Sequence, residues 1–192
     1  VYRPNSVVVK FLIAIAAWNL GTGAFNPFFN AFFARLRMPV QQIGSVFSSA
    51  QFTQAGAVLL APLVFRRFGL TRGVSGMQLA TAFALVGLAS AVDPGWSAVA
   101  YTAYVASQYM SEPGMYAFLM DSVPEGERSG ASALNFLVAS MAQAVAAAAG
   151  GLLIARFGYS PVLVAAALIS VLAAILFRTL LRGNPPPAAS DP

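Results

Sequence analysis

Polar residues fall along this chain in short clusters, and between them run six apolar stretches at about residues 7–33, 42–65, 71–92, 96–120, 130–155 and 160–181. Each is about long enough to cross a bilayer, because a spanning helix needs roughly 20 mostly apolar residues. Lipid offers the backbone no hydrogen-bond partner, so a segment inside it must satisfy its own amides as helix. The pattern predicts an all-α membrane protein with six transmembrane helices, a bundle over residues 1–183 and a disordered Pro-rich tail over 184–192. Pro39, Gly69, the Asp93-Pro94-Gly95 turn, Pro124 with Gly126, Gly158 and Pro161 all fall at the expected helix ends.

Inside the spans the polar positions repeat. The second span ends Leu63-Val64-Phe65-Arg66-Arg67-Phe68-Gly69 and the fifth ends Leu152-Leu153-Ile154-Ala155-Arg156-Phe157-Gly158, which share an Arg-Phe-Gly turn. The first span carries Asn19, Thr22, Asn26 and Asn30, and the fourth carries Tyr101, Tyr104, Gln108 and Glu112 at the same spacing; each set falls on one helical face. Each of these two spans also holds an internal proline after a polar residue, Pro27 and Pro113. The chain is therefore expected to be two copies of three helices, about 7–92 and 96–182. An odd-numbered unit repeated in tandem must be inverted in the membrane, the arrangement of secondary transporters whose interrupted helices meet at a central site.

Composition agrees with a membrane chain: 58% hydrophobic and 9% charged residues, where a soluble domain carries about a quarter charged. The net charge of +5 sits in the turns, so it reads as a topology signal and nucleic acid is not expected as a partner. Arg3, Lys10, Arg66, Arg67, Arg72, Arg128, Arg178 and Arg182 collect on one side, and Arg35, Arg37 and Arg156 on the other, which predicts both termini in the cytoplasm. With no cysteine and no histidine, disulfides, imidazole or thiolate metal sites and histidine-dependent triads are excluded. Neither an enzyme nor a metal or cofactor is expected. The chain opens on Val1 without a signal-peptide cleavage pattern, which predicts a piece of a longer protein.

Pro62-x-x-x-Arg66-Arg67-Phe68-Gly69 is similar to the Gly-x-x-x-Asp-Arg-x-Gly turn of major facilitator superfamily transporters, with the acidic residue replaced by Arg66. Asp121 to Gly130 resembles the turn before the eleventh helix of that family, and Gly21 to Asn30 resembles its seventh helix. The chain thus resembles the carboxy-terminal six-helix half of such a transporter. The resemblance implies a bacterial inner-membrane carrier working by alternating access, with the missing amino-terminal six-helix half as the other wall of its pathway. The loop-motif residues are then Arg66, Arg67 and Gly69, and Arg66 leaves the family's acidic latch without its carboxylate.

Glu112 is the one ionisable residue expected well inside a span, and such groups face water or a partner and mark proton or ion pathways. It is the candidate for proton coupling, against a plain solvated carboxyl beside the Pro113 bend. Asn19, Thr22, Asn26, Asn30, Tyr101, Tyr104 and Gln108 are candidate cavity residues, as are Gln51 and Gln54 in the second span and Asn135 and Gln143 in the fifth; interhelical hydrogen bonding is the alternative for each. Phe25, Phe28, Phe29, Phe32 and Phe33 are expected mostly to face lipid, and the third and sixth helices, with Gln78 and Ser170 among few polar groups, to support the others from outside. Ala146 to Gly151 is expected to allow close helix contact. No arginine or lysine lies deep in a span, so a neutral or cationic amphiphile is expected as substrate. A sugar-type solute, or a six-helix partner protein without transport activity, is the alternative.

Overall fold

The computed structural model describes residues 3–181, so the expected tail and Arg182 lie outside the described residues. Its helices are α1 (Ser6–Gly23), α2 (Phe29–Arg35), α3 (Val40–Phe68), α4 (Leu70–Ala89), α5 (Pro94–Asp121), α6 (Arg128–Phe157) and α7 (Tyr159–Leu180). A 3-10 turn at Asn26–Phe28 joins α1 to α2, so these two make one broken rod and the bundle has six rods, one for each expected span. By length and mean hydropathy three stretches among the described residues qualify for membrane crossing: Ser6–Arg35, Glu125–Phe157 and Tyr159–Leu180. The other rods carry the glutamine, tyrosine and hydroxyl positions that lower their average, yet α4, at 20 residues, spans about 30 Å at helical rise.

The rod ends follow from residue chemistry. Asn5 caps α1 by accepting a hydrogen bond from the Val8 amide, and Asp93 caps α5 by accepting from Trp96, with Pro94 filling the first helical position, where its missing N–H costs nothing. Gly69 and Gly158 close α3 and α6 with φ of +80° and +84°, a region that favours glycine. Their amides bond back to the Phe65 and Ile154 carbonyls at 2.9 and 2.8 Å. In both turns the arginine stacks over the adjacent ring, Arg67 on Phe68 at 5.7 Å and Arg156 on Phe157 at 5.5 Å. The two Arg-Phe-Gly turns are thus one structure used twice.

Packing repeats in the same way. The first rod packs along α6 and α7, α5 packs along α3 and α4, and α4 and α7 meet each other. Exchanging the first three rods for the last three reproduces this set of pairings. Two apolar cores lie at opposite poles. At the near pole, Val8, Phe11, Val74, Phe118, Leu119 and Phe177 pack together. At the far pole, Phe25, Phe29, Phe33, Leu85, Tyr101 and Leu163 do so.

The far core corrects one expectation. Phe25 and Phe33 are 0% exposed, Phe29 and Phe32 are buried, and only Phe28 remains half-buried, so the cluster faces the protein rather than lipid. The break after Gly23 turns α2 inward, and its rings meet Tyr101, Tyr104, Phe47 and Tyr159 in edge-on or tilted contacts with centroids 4.7–5.8 Å apart. Edge-to-face geometry suits the ring quadrupoles and adds to the area buried. The Ala146 to Gly151 run does admit close approach: a Cβ on Gly150 would collide with the Ala24 carbonyl, and one on Gly151 would touch Phe28. In α4 and α7, Gln78 and Ser170 point inward at 0% exposure while Phe83, Val86, Leu168 and Leu172 lie exposed.

Candidate functional site

A cavity of about 190 Å³ opens between α1, α5 and α6 on the near-pole side of the bundle. Asn19 from α1, Glu112 from α5 and Asn135, Ser140 and Gln143 from α6 supply its polar wall; Phe11, Trp18, Met115 and Phe136 supply apolar surface. Among the described residues no arginine or lysine lines it. Glu112 is half-buried and directly precedes Pro113, which lies inside α5. Proline cannot donate to the carbonyl four residues back, which leaves the Tyr109 carbonyl without its usual helical partner next to the acid.

Two interhelical hydrogen bonds hold the α1 stripe against its neighbours. Gln143 Nε2 donates to Asn19 Oδ1 at 2.7 Å, while Asn19 Nδ2 donates to the Ile15 carbonyl at 2.9 Å. The Tyr104 hydroxyl donates to Asn26 Oδ1 at 2.5 Å. The first bond ties α1 to α6 and the second ties the helix break to α5. A second groove, about 290 Å³, is lined by Gly23, Asn26, Pro27, Ser140 and Gln143. Ser140 and Gln143 line both spaces, so a polar track runs along α1 and α6 from Glu112 to the break.

The remaining candidates divide. Gln108 is buried between Tyr104 and Glu112 along α5, and its Oε1 has no partner. Gln54 in α3 is half-buried with its Oε1 likewise unpartnered, whereas Gln51 and Asn30 are exposed. Thr22 is buried but donates back to the Trp18 carbonyl at 3.1 Å, a bond within its own helix. Tyr101 belongs to the far aromatic core, not to the cavity wall. Arg66 and Arg67 are exposed at the near pole, and Gly69 makes the turn. The structure therefore brings Asn19 and Glu112 to one cavity and Asn26 and Tyr104 to one hydrogen bond, and leaves Tyr101, Thr22, Gln51 and Asn30 outside.

Asn135 and Gln143, open between two readings in the sequence, both reach the cavity. Trp18, Met115 and Ser140 carried no signal of their own; Trp18 shares a face with Ile15 through i, i+3 spacing, and Ser140 lies one turn from Gln143. Behind the wall, Thr81 donates to Ser107 at 3.0 Å and Gln78 Nε2 reaches the Met115 sulfur at 3.7 Å. This seam between α4 and α5 fixes the face that α5 turns to the cavity.

No curated protein matches the sequence. Residues 11–192, nearly the whole chain, match the Major Facilitator Superfamily, a match that begins at Phe11 on the cavity wall and takes in every rod described above. An all-helical bundle of six rods, paired symmetrically and carrying the same turn twice, is half of that fold, and the chain belongs to the major facilitator superfamily.

Proposed function

We propose that this chain is the carboxy-terminal half of a proton-coupled secondary transporter that moves a small neutral or cationic amphiphile by alternating access. Membership of the family supports the transporter reading, and family proteins act on small molecules across a membrane. The observation that carries the coupling role is the position of Glu112: a half-buried carboxyl on the wall of a polar cavity, shared with Asn19, Asn135 and Gln143 and free of basic neighbours in the lining. A carboxyl in a span, facing a cavity, can load and release a proton as access alternates. Asn26 and Tyr104 extend the polar surface to the helix break, where transporters of this architecture place their binding sites.

In this reading the membrane is a bacterial inner membrane and both termini are cytoplasmic, supported by the excess of arginine and lysine in the near-pole turns. Exposed stretches of α3 and α6, which carry Gln51, Thr53, Ser140 and Gln143 among apolar residues, face the amino-terminal half. The test uses the full-length gene product in proteoliposomes with a trapped pH-sensitive dye and a panel of amphiphilic probes including ethidium. Glu112→Gln lowers the initial rate of gradient-driven flux at least about tenfold, in line with loss of an essential proton carrier. Flux that stays at the wild-type rate in this variant overturns the coupling assignment.

A further inference from the structure

Beyond the coupling role, the cavity between α1, α5 and α6 has the chemistry of a site for one kind of ligand; the inference rests on reading that cavity as the solute site. Its lining holds one carboxyl, Glu112, and no cationic side chain to pair with it. Asn135, which lines the same cavity from α6, is only 6% exposed, and its Oδ1 meets no donor among the described residues. A buried amide oxygen without a donor forfeits a hydrogen bond it had in water, so such groups in folded proteins are usually satisfied by a ligand or an ordered water. The terminal amide torsion of asparagine is broad, so a modest rotation lets the oxygen reach a donor placed in the cavity that this side chain lines. In the same lining, Trp18 and Met115, both buried, and Phe136 provide an aromatic and thioether surface. Ring faces attract cations, and a Trp face does so best.

We infer that this cavity binds an organic ammonium that still carries N–H bonds, with its charge on Glu112, one N–H on Asn135 Oδ1 and its apolar body against Trp18 and Phe136. The carboxyl selects for positive charge. The amide oxygen selects among cations, since a quaternary ammonium has no N–H to give it. Asn135 is therefore the residue that sets the choice between primary and fully alkylated amines.

The test is calorimetric titration of the full-length protein in lipid nanodiscs with three probes of one shape: 2-phenylethylammonium, its N,N,N-trimethyl counterpart and neutral 2-phenylethanol. The primary ammonium is expected to bind at least about tenfold tighter than either, the size of effect one charge-assisted hydrogen bond supplies. Glu112→Gln removes the preference over the alcohol, and Glu112→Asp keeps part of it. Asn135→Leu removes the preference over the trimethyl compound, and an unchanged melting temperature in detergent shows that the variant is folded. Equal binding of amine and alcohol, a primary-to-trimethyl ratio that Asn135→Leu does not change, or no binding of any probe overturns the inference. If the amine preference holds while proton-driven flux ignores Glu112, the coupling reading falls and this one stands; flux that needs Glu112 without any amine preference gives the reverse.

Discussion

The first and fourth rods each hold an internal proline after a polar residue, yet the chain treats the two differently. In the first, α1 ends at Gly23, Asn26–Phe28 form a 3-10 turn and α2 begins at Phe29. At Glu112-Pro113 the helix runs on without a break from Pro94 to Asp121. A proline in a helix interior always removes one hydrogen bond and crowds the carbonyl four residues back, so the residue alone does not decide the outcome. The neighbours do. Around Pro27, α6 crosses so close that Gly23 lies against the Gln143 backbone and Gly150 against the Ala24 carbonyl, while the rings of α2 are drawn into the far aromatic core. Around Pro113, Gly114 makes a notch that takes the edge of Phe65 from α3 and Val74 from α4, and the unbroken helix is held from outside. One repeat therefore presents a broken backbone and Asn26, and the other presents an intact helix and Glu112.

This comparison can be broken at its two glycines. The larger effect is expected for Gly150→Ala, because the added methyl meets the backbone carbonyl of Ala24, which cannot swing aside. Overpacking of this kind costs about 1–3 kcal/mol, read as a clear drop in thermal stability in detergent, and an unchanged melting temperature would show that α1 and α6 are not in close contact. Gly114→Ala is expected to cost less, about 1 kcal/mol, because what the methyl meets are the side-chain ends of Phe65 and Val74. Phe65→Leu in the same chain should recover part of that loss, and strict additivity of the two changes would remove the notch from the account. Gly44 and Gly56 have open space around them, so alanine at either is the clash-free control, expected to gain up to about 1 kcal/mol from helix propensity alone.

Much of this arrangement is legible in the residues themselves. Six rods follow from apolar length, and the paired turns follow from glycine after Arg-Phe, since only a residue at ease with positive φ closes the helix there. Glu112 and the Asn19 to Asn26 stripe were legible because polar groups in a span are costly and must face something other than lipid. The destination of the phenylalanines was not legible. Phe29 on a helix surface reads alike whether hydrocarbon or Tyr101 covers it, and only the change of direction after Gly23 decides. For the same reason Tyr101 shares its stripe with Tyr104 but lies in the aromatic core, while Trp18 and Ser140, unremarkable as single residues, line the cavity.

The central claim is that the polar faces of α1, α5 and α6 enclose one water-accessible space while α4 and α7 turn apolar residues outward. This chain has no cysteine, so with any cysteine elsewhere in the full-length protein replaced by serine, single cysteines report on it directly. With Ser140→Cys on the cavity wall and Phe83→Cys on the outer face of α4, a charged, membrane-impermeant thiol reagent applied to the full-length protein in the membrane should label the first and spare the second. Labelling of Cys at 83 with protection at 140 would contradict the account.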